Sequence, residues 1–328
     1  EDNFLNKTNF DTLFTNYFAF SLQVLLGFLI VSIISSYMSI SYLGIFTQTY
    51  TILVIVSQFF VIGLNDTILK KLSTLSNENN EMKAIINILI ATLLNAFCLS
   101  CIFYLFQEIL YSIFQSERLN ASNNYIILAI FFLTINKVLF SILQGKRLLN
   151  AFAFFNFLRP FLIFLFILFS LISNISINFS IIFSFAEIII FSLIILKLNL
   201  KKLFNLNQVD FRYLKNYYSF GLKVFLNSFF TESFIRIDII MISILLSDKM
   251  VGIYSLAALF FEGIYQFSLV IRNVINPEIG KLYQNKNFKK LINLLRLSSL
   301  LSFALILFCS LVTYFLVPLL LFFLDIEM

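Results

Sequence analysis

Apolar residues occur along the whole chain in runs of about twenty, separated by short polar segments. A helix rises about 1.5 Å per residue, so such a run covers a hydrocarbon core about 30 Å thick. A helix also satisfies its own backbone hydrogen bonds, which lipid cannot do. Residues 161–171 lack the apolar/polar alternation that membrane strands need. The pattern predicts an all-α integral membrane protein of about nine transmembrane helices, near 12–36, 43–66, 84–110, 123–145, 151–173, 177–198, 217–246, 250–275 and 291–323.

Composition agrees with this class and narrows the chemistry. The chain is 60% hydrophobic and 12% charged, whereas soluble domains are about 25% charged. Its net charge of +6 is expected in cytoplasmic loops, and we expect no nucleic-acid partner. Histidine is absent, which removes the commonest metal ligand and general base. Cys98 and Cys101 have C-x-x-C spacing without a second ligand pair, so we expect packing residues and no metal site.

The positions of Lys and Arg predict the orientation of the helices. Segments that hold several basic residues alternate with segments that hold at most one. The basic segments contain Lys70, Lys71 and Lys83, then Lys146 and Arg147, then 197–215, then 281–290. By the positive-inside rule these segments and the N-terminus face the cytoplasm, and we expect a multi-pass membrane protein.

The longest internal polar stretch divides the chain after six predicted spans. Its basic and apolar residues are mixed, which is typical of an amphipathic segment on the inner leaflet. We therefore predict a six-helix N-terminal lobe at 1–198, a cytoplasmic linker at 199–216 and a partial C-terminal lobe of three helices at 217–328. The chain stops directly after a span, so we expect the second lobe to be truncated.

A short repeat supports two related lobes. The segment YLGIF at 42–46 aligns with MVGIY at 250–254, and at the same offset Asn65 aligns with Asn273. Each copy is followed by a basic segment. Repeats related by an axis along the membrane normal are typical of transporters that carry substrate between their halves.

Five segments resemble the polysaccharide-biosynthesis branch, which includes the O-antigen flippases, of the multidrug/oligosaccharidyl-lipid/polysaccharide flippase superfamily. They are SYLGIF at 41–46, GLND at 63–66, RID at 236–238, VGIYSLA at 251–257 and NPE at 276–278. The resemblance implies two six-helix lobes around a central cavity. It also implies alternating access that moves an undecaprenyl-pyrophosphate-linked oligosaccharide to the outer leaflet. The products implied are surface polysaccharides such as lipopolysaccharide O-antigen, and the implied partners are the lipid-linked oligosaccharide, membrane lipids and the polysaccharide polymerase machinery.

Ionisable residues within the predicted spans are candidate site residues, since each costs about 2.5–3.5 kcal/mol to insert. Arg159, Arg236 and Lys137 are predicted to face the cavity and bind the pyrophosphate, because guanidinium donors match phosphate oxygens. Pro160 opens the helix ladder beside Arg159, which favours a cavity position.

The acidic residues in the spans allow more than one interpretation. Glu232 and Arg236 are spaced i, i+4, so they could form a structural pair as well as bind substrate. Glu187 and Glu262 could couple transport to a proton or a sodium ion, or pair across helices with Lys137 or Arg236. Asp238 belongs to the same candidate set. Buried amides (Asn95, Asn136, Asn156 and Asn227) could bind sugars or join helices.

Three functions compete at this stage. A flippase for lipid-linked oligosaccharide accounts for cationic residues in the spans. A drug or cation exporter of the same superfamily would favour acidic residues there. A membrane-embedded glycosyltransferase or polymerase would need paired carboxylates in a sizeable outer loop, and the outer loops are short. We find no nucleophile–base pair or phosphate-binding loop, so we predict a non-enzyme without a cofactor.

Overall fold

Helices account for every predicted span. The computed structural model describes residues 7–75, 77–113, 123–173, 175, 178–198 and 211–323. Within these ranges there are ten helices and no strand. They are α1 (Lys7–Tyr37), α2 (Ile40–Val61), α3 (Leu64–Thr74), α4 (Glu78–Ile113), α5 (Asn123–Gly145), α6 (Leu149–Ile172), α7 (Phe179–Lys197), α8 (Phe211–Leu245), α9 (Asp248–Gln284) and α10 (Phe288–Phe323).

Helix length and composition confirm a multi-pass membrane protein. Seven of the described helices are long and apolar enough to cross a membrane: α1, α2, α4, α5, α6, α7 and α10. Helices α8 and α9 are 35 and 37 residues long, and both carry charged residues along their length. These two and the seven apolar helices correspond to the nine predicted spans.

The second predicted span is interrupted before its predicted end. It was expected to run through residue 66, but α2 ends at Val61 and α3 begins at Leu64. Ile62 and Gly63 lie between them with φ angles of 50° and 70°, in the left-handed region. A β-branched residue such as isoleucine rarely adopts this conformation, so tertiary packing must hold the turn. Gly63 is packed against the backbone of Gly221 in α8, which leaves no room for a side chain.

Helix α3 is short and amphipathic, and it touches several of the long helices. Its buried face consists of Leu64, Thr67, Ile68 and Leu72. It packs against α4, α5, α8 and α9. The amino group of Lys70 lies 3.9 Å from the centre of the Phe220 ring in α8. Helix α3 therefore joins helices from both predicted lobes.

Described residues of three of the four basic segments lie close together at one end of the bundle. Lys146 lies 3.9 Å from Glu81, and Arg147 lies 2.7 Å from Glu278 of α9. A side chain on Gly280 would contact Ser73 of α3. We call this end, which carries α3 and the α5–α6 and α9–α10 turns, the basic end.

The two copies of the sequence repeat meet at the opposite end. Helices α2 and α9 begin with these segments and pack against each other. A Cβ on Gly44 would overlap the carbonyl oxygen of Asp248 and lie 3.1 Å from the nitrogen of Gly252. A Cβ on Gly252 would lie 2.9 Å from Cγ2 of Ile40. Glycine thus allows two backbones to touch, as small residues do where membrane helices cross closely.

The predicted linker at 199–216 lies mostly outside the described residues. The chain is helical again from Phe211, so the last part of that stretch belongs to α8. Cys98 and Cys101 are exposed on α4, and the expectation that they are packing residues is therefore wrong.

Candidate functional site

A cavity of about 210 Å³ lies between helices that precede residues 199–210 in the chain and helices that follow them. Helices α1, α2, α6 and α7 form one wall, and α8 and α9 form the other. The lining residues are Phe20, Gln23, Val24, Gly27, Ile30, Val31, Phe46, Thr47, Tyr50, Asn156, Arg159, Pro160, Ile163, Phe183, Arg236, Ile239, Ser255 and Ala258. In this set both charged residues are arginines, so the cavity favours an anion.

The two arginines reach the cavity from opposite walls at similar depth. Arg159 is ten residues after the start of α6 at the basic end, about 15 Å along the helix. Arg236 is nine residues before the end of α8 at the opposite end, about 14 Å along it. Both therefore lie near the middle of the bundle, where an ionisable group usually has a function.

Local sequence explains the polar character of α6 at this point. Pro160 lies inside α6 and has no backbone N–H, so the carbonyl of Asn156 loses its helical donor. Asn156, Arg159 and Pro160 all line the cavity. The helix thus presents an amide and a guanidinium to the cavity, next to a carbonyl that has lost its helical donor.

Arg159 is held by Glu187 of α7. Its Nε lies 2.7 Å from Oε1 of Glu187, and its Nη2 donates to Oε2 at 3.2 Å. The guanidinium also lies 5.0 Å from the centre of the Phe140 ring. Glu187 pairs with Arg159 and not with Lys137 or Arg236, the two partners that the sequence suggested, and its role in coupling an ion stays a prediction.

Asn136 of α5 completes this group. Its amide nitrogen donates to Oε2 of Glu187 at 2.7 Å and to the Glu187 backbone carbonyl at 2.9 Å. Asn136 is fully buried and Glu187 is only 4% exposed. Of the two interpretations of Asn136, the geometry favours the one that joins helices.

Arg236 is buried and lies over an aromatic ring of the other wall. Its guanidinium carbon is 4.8 Å from the centre of the Tyr50 ring in α2. Such a cation–π contact contributes about 0.5–2 kcal/mol, and a guanidinium in this position can still donate hydrogen bonds from its N–H edge. Tyr50 therefore positions a charge at the cavity wall.

Lys137 is not among the lining residues. Its amino group donates to the Val54 carbonyl at 3.1 Å and to Oε1 of Gln58 at 2.8 Å. Both acceptors belong to α2, so the contacts tie α5 to α2. The structure thus brings Arg159 and Arg236 to one cavity and places the amino group of Lys137 elsewhere.

The remaining predicted acidic residues lie on α8 and α9. Asp238 accepts hydrogen bonds from the hydroxyl of Tyr254 and from the backbone nitrogen of Ile239, the latter at 2.8 Å. Glu232 is partly exposed on α8. Glu262 lies in α9, with its side chain outside the described part of the structure. Neither Asp238 nor Glu232 is among the residues that line the cavity.

Sequence reasoning missed several uncharged residues of the cavity. Gln23 lies in the apolar run of α1, four residues before Gly27, and both line the cavity. This i, i+4 pair of a polar and a small residue is a signal that could have marked the inward face of α1. Tyr50 and Phe183, whose rings stack with centres 5.7 Å apart, gave no such signal among so many aromatic residues.

Comparison with a solved structure defines the fold. The chain shares the fold of the MATE multidrug transporter DinF-BH, solved in complex with a ligand, with a TM-score of 0.69 and 17% sequence identity. The alignment covers 97% of this chain and 74% of the transporter chain. No curated protein sequence matches the chain.

The family follows from the sequence itself. The family model described as "Polysaccharide biosynthesis protein" matches residues 13–283, and the chain belongs to this family. Together the family and the fold support a membrane transporter of the flippase superfamily, as the sequence resemblance implied.

Proposed function

We propose that the protein flips an undecaprenyl-pyrophosphate-linked oligosaccharide from the inner to the outer leaflet of the bacterial inner membrane, for surface polysaccharide biosynthesis. The observation that carries the proposal is the convergence of Arg159 and Arg236, from opposite walls, on one cavity. A guanidinium offers a planar fork of N–H donors that fits phosphate oxygens, and two guanidiniums suit a pyrophosphate.

The size of the cavity agrees with a site for the phosphate end of such a substrate. Its 210 Å³ is below the roughly 300–1,000 Å³ of pockets that enclose small-molecule ligands. A pyrophosphate fits into this space, whereas an oligosaccharide needs the bundle to open. The amides of Gln23 and Asn156 and the ring of Tyr50 supply polar and stacking surfaces beside the arginines.

Contacts at both ends of the cavity support alternating access. At the basic end, Ser228 donates to Asp66 at 2.6 Å, and Arg147 pairs with Glu278. At the opposite end, Gln48 donates to Asp248 at 3.0 Å beside the glycine crossing. The exposed Arg147–Glu278 pair contributes about 0–1 kcal/mol. The other two contacts are part-buried hydrogen bonds to carboxylates, which contribute about 1.5–3 kcal/mol each, so opening either end breaks contacts worth a few kcal/mol. We place the basic end in the cytoplasm by the positive-inside rule.

A multidrug or cation exporter is the second candidate, since the solved structure with this fold is a multidrug transporter. An organic cation would need a carboxylate or an open aromatic surface in the cavity. Here the Glu187 carboxylate beside the lining is engaged by Arg159, and both charged residues in the described lining are cationic. The charge of the cavity therefore favours the anionic substrate.

The test is a flipping assay in proteoliposomes. A fluorescent lipid-linked oligosaccharide is reconstituted with the full-length protein, and its movement between leaflets is followed by bleaching the outer leaflet with a membrane-impermeant reductant. Arg236→Gln should slow flipping at least about tenfold, because hydrogen bonds to charged groups contribute about 1.5–3 kcal/mol. Arg296→Gln, at an exposed arginine outside the cavity, is the matched control.

A test of Arg159 needs a double variant. Removal of Arg159 alone would leave Glu187 buried without its cation, which costs about 3–5 kcal/mol. The double variant Arg159→Gln/Glu187→Gln keeps the site neutral and should also lose flipping. Wild-type flipping in both cavity variants would refute the assignment of the cavity. Transport of a cationic dye in place of the lipid would support the exporter.

A further inference from the structure

Glu187 lies against the arginine that we assign to substrate binding. Its Oε2 accepts a hydrogen bond from Nη2 of Arg159 at 3.2 Å and its Oε1 lies 2.7 Å from Nε, while Arg159 also lines the cavity. The side chain of Arg159 is 21% exposed and that of Glu187 is 5% exposed. The carboxylate thus lies behind the guanidinium, and the cavity lies in front of it.

A phosphate and a carboxylate compete for the same guanidinium donors. We propose that Glu187 is a built-in competitor for the substrate, which the substrate's phosphate displaces from Arg159 and which then takes up one proton. The inference rests on the proposed function. No covalent bond changes apart from this protonation: the proton comes from water in the cavity and returns to water when the substrate leaves and the ion pair forms again.

The surroundings of Glu187 explain why displacement requires a proton. Helix α7 packs against α5, α6 and α2. The charged groups that face Glu187 are Arg159 from α6 and Lys137 from α5, with Arg236 across the cavity on α8, and α2 contains no charged residue. The amino group of Lys137 is held by Val54 and Gln58.

Once Arg159 turns to the substrate, the amide of Asn136 is the contact left to the carboxylate. A carboxylate that is 4% exposed and has lost its cation is strongly disfavoured. The neutral acid relieves this penalty and keeps its bond from Asn136. Binding of the anion and binding of the proton therefore favour each other.

The experiment measures binding of farnesyl pyrophosphate, a water-soluble prenyl pyrophosphate, to the purified full-length protein by calorimetry. At alkaline pH, Glu187→Gln should bind about tenfold more tightly than wild type, because it removes the competing charge. This difference should shrink at mildly acidic pH, where wild-type Glu187 is protonated on binding. Glu81→Gln, at a partly exposed carboxylate 3.9 Å from Lys146, is the control and should match wild type.

Calorimetry in two buffers of different ionisation enthalpy measures how many protons the protein takes up when the ligand binds. Wild type should take up one more proton per bound ligand than Glu187→Gln at the same pH, a difference that a purely structural ion pair would not produce. Equal or weaker binding by Glu187→Gln with equal proton uptake would overturn the inference. If that variant does not fold, wild type alone decides: affinity and proton uptake that are independent of pH, after the titration of the ligand is subtracted, would overturn it. Absence of binding in wild type would instead reject the proposed function.

Discussion

Replacement of Gly44 by alanine should force α2 and α9 apart at the end opposite the basic end. The new Cβ would lie 2.8 Å from the carbonyl carbon of Asp248, whereas two carbon atoms pack at about 3.5–4.0 Å. The backbones must therefore separate by about 1 Å, since the atoms in the way belong to the main chain. Overpacking of this kind costs about 1–3 kcal/mol. If the state with this end open avoids the cost, its population rises about 5- to 150-fold relative to the closed state.

Labelling of a cysteine in the cavity measures this shift. Thr47 lines the cavity on α2, so a Thr47→Cys variant in a background with the native cysteines changed to serine reports access. A membrane-impermeant maleimide added to intact cells should label the Gly44→Ala protein faster than the protein with native Gly44. Gly145→Ala is the matched control, because its Cβ would lie 2.7 Å from the Leu72 side chain at the basic end.

The result that would refute the reasoning is an unchanged labelling rate. If Gly44→Ala is as stable as the native protein and labels equally slowly, the backbone contact between α2 and α9 does not control access from that side. Equal acceleration in Gly145→Ala would attribute the effect to general loosening of the bundle.

Three further substitutions test contacts around the site. Asn136→Ala should destabilise the protein by about 1–3 kcal/mol, because Glu187 loses a buried donor; an unchanged apparent melting temperature in detergent would contradict this. Lys137→Met should lower stability by a similar amount without altering affinity for farnesyl pyrophosphate, and weaker affinity at native stability would support the predicted cavity role. Glu278→Gln should lower the free energy of unfolding by at most about 1 kcal/mol, because the pair of Glu278 with Arg147 is exposed. High salt should abolish this effect. A larger loss of stability that does not depend on salt would show that the pair is part of a wider network.

The membrane spans could be predicted from hydropathy because a lipid-exposed helix needs only length and apolar composition. The break between α2 and α3 could not. Residues 62–63 follow an apolar run and resemble an ordinary helix end, but the left-handed conformation of Ile62 depends on contact with α8, which is distant in sequence.

For the charged residues too, the sequence reveals what depends on one helix alone and does not reveal contacts between helices. That Arg159 and Arg236 are unusual is evident from sequence, since a charge within a span is costly. The partner of Glu187 was not evident, because Arg159, Lys137 and Arg236 all lie on other helices. Which cation pairs with Glu187 depends on how far α6 is shifted along α7, and no pattern within one helix encodes that shift. Tyr50 under Arg236 was missed for the same reason.

The glycine contacts described above separate the parts of the molecule that would move from the parts that would recognise a substrate. Gly44 and Gly252 meet at one end, Gly63 and Gly221 meet near the other, and none of the four lines the cavity. Where backbone slides on backbone, there are no interlocking side chains to repack. On the proposed function, the side chains around the arginines can therefore be exchanged to suit a different substrate while the glycine contacts stay unchanged. Substrate range and transport movement become properties that can be engineered one at a time.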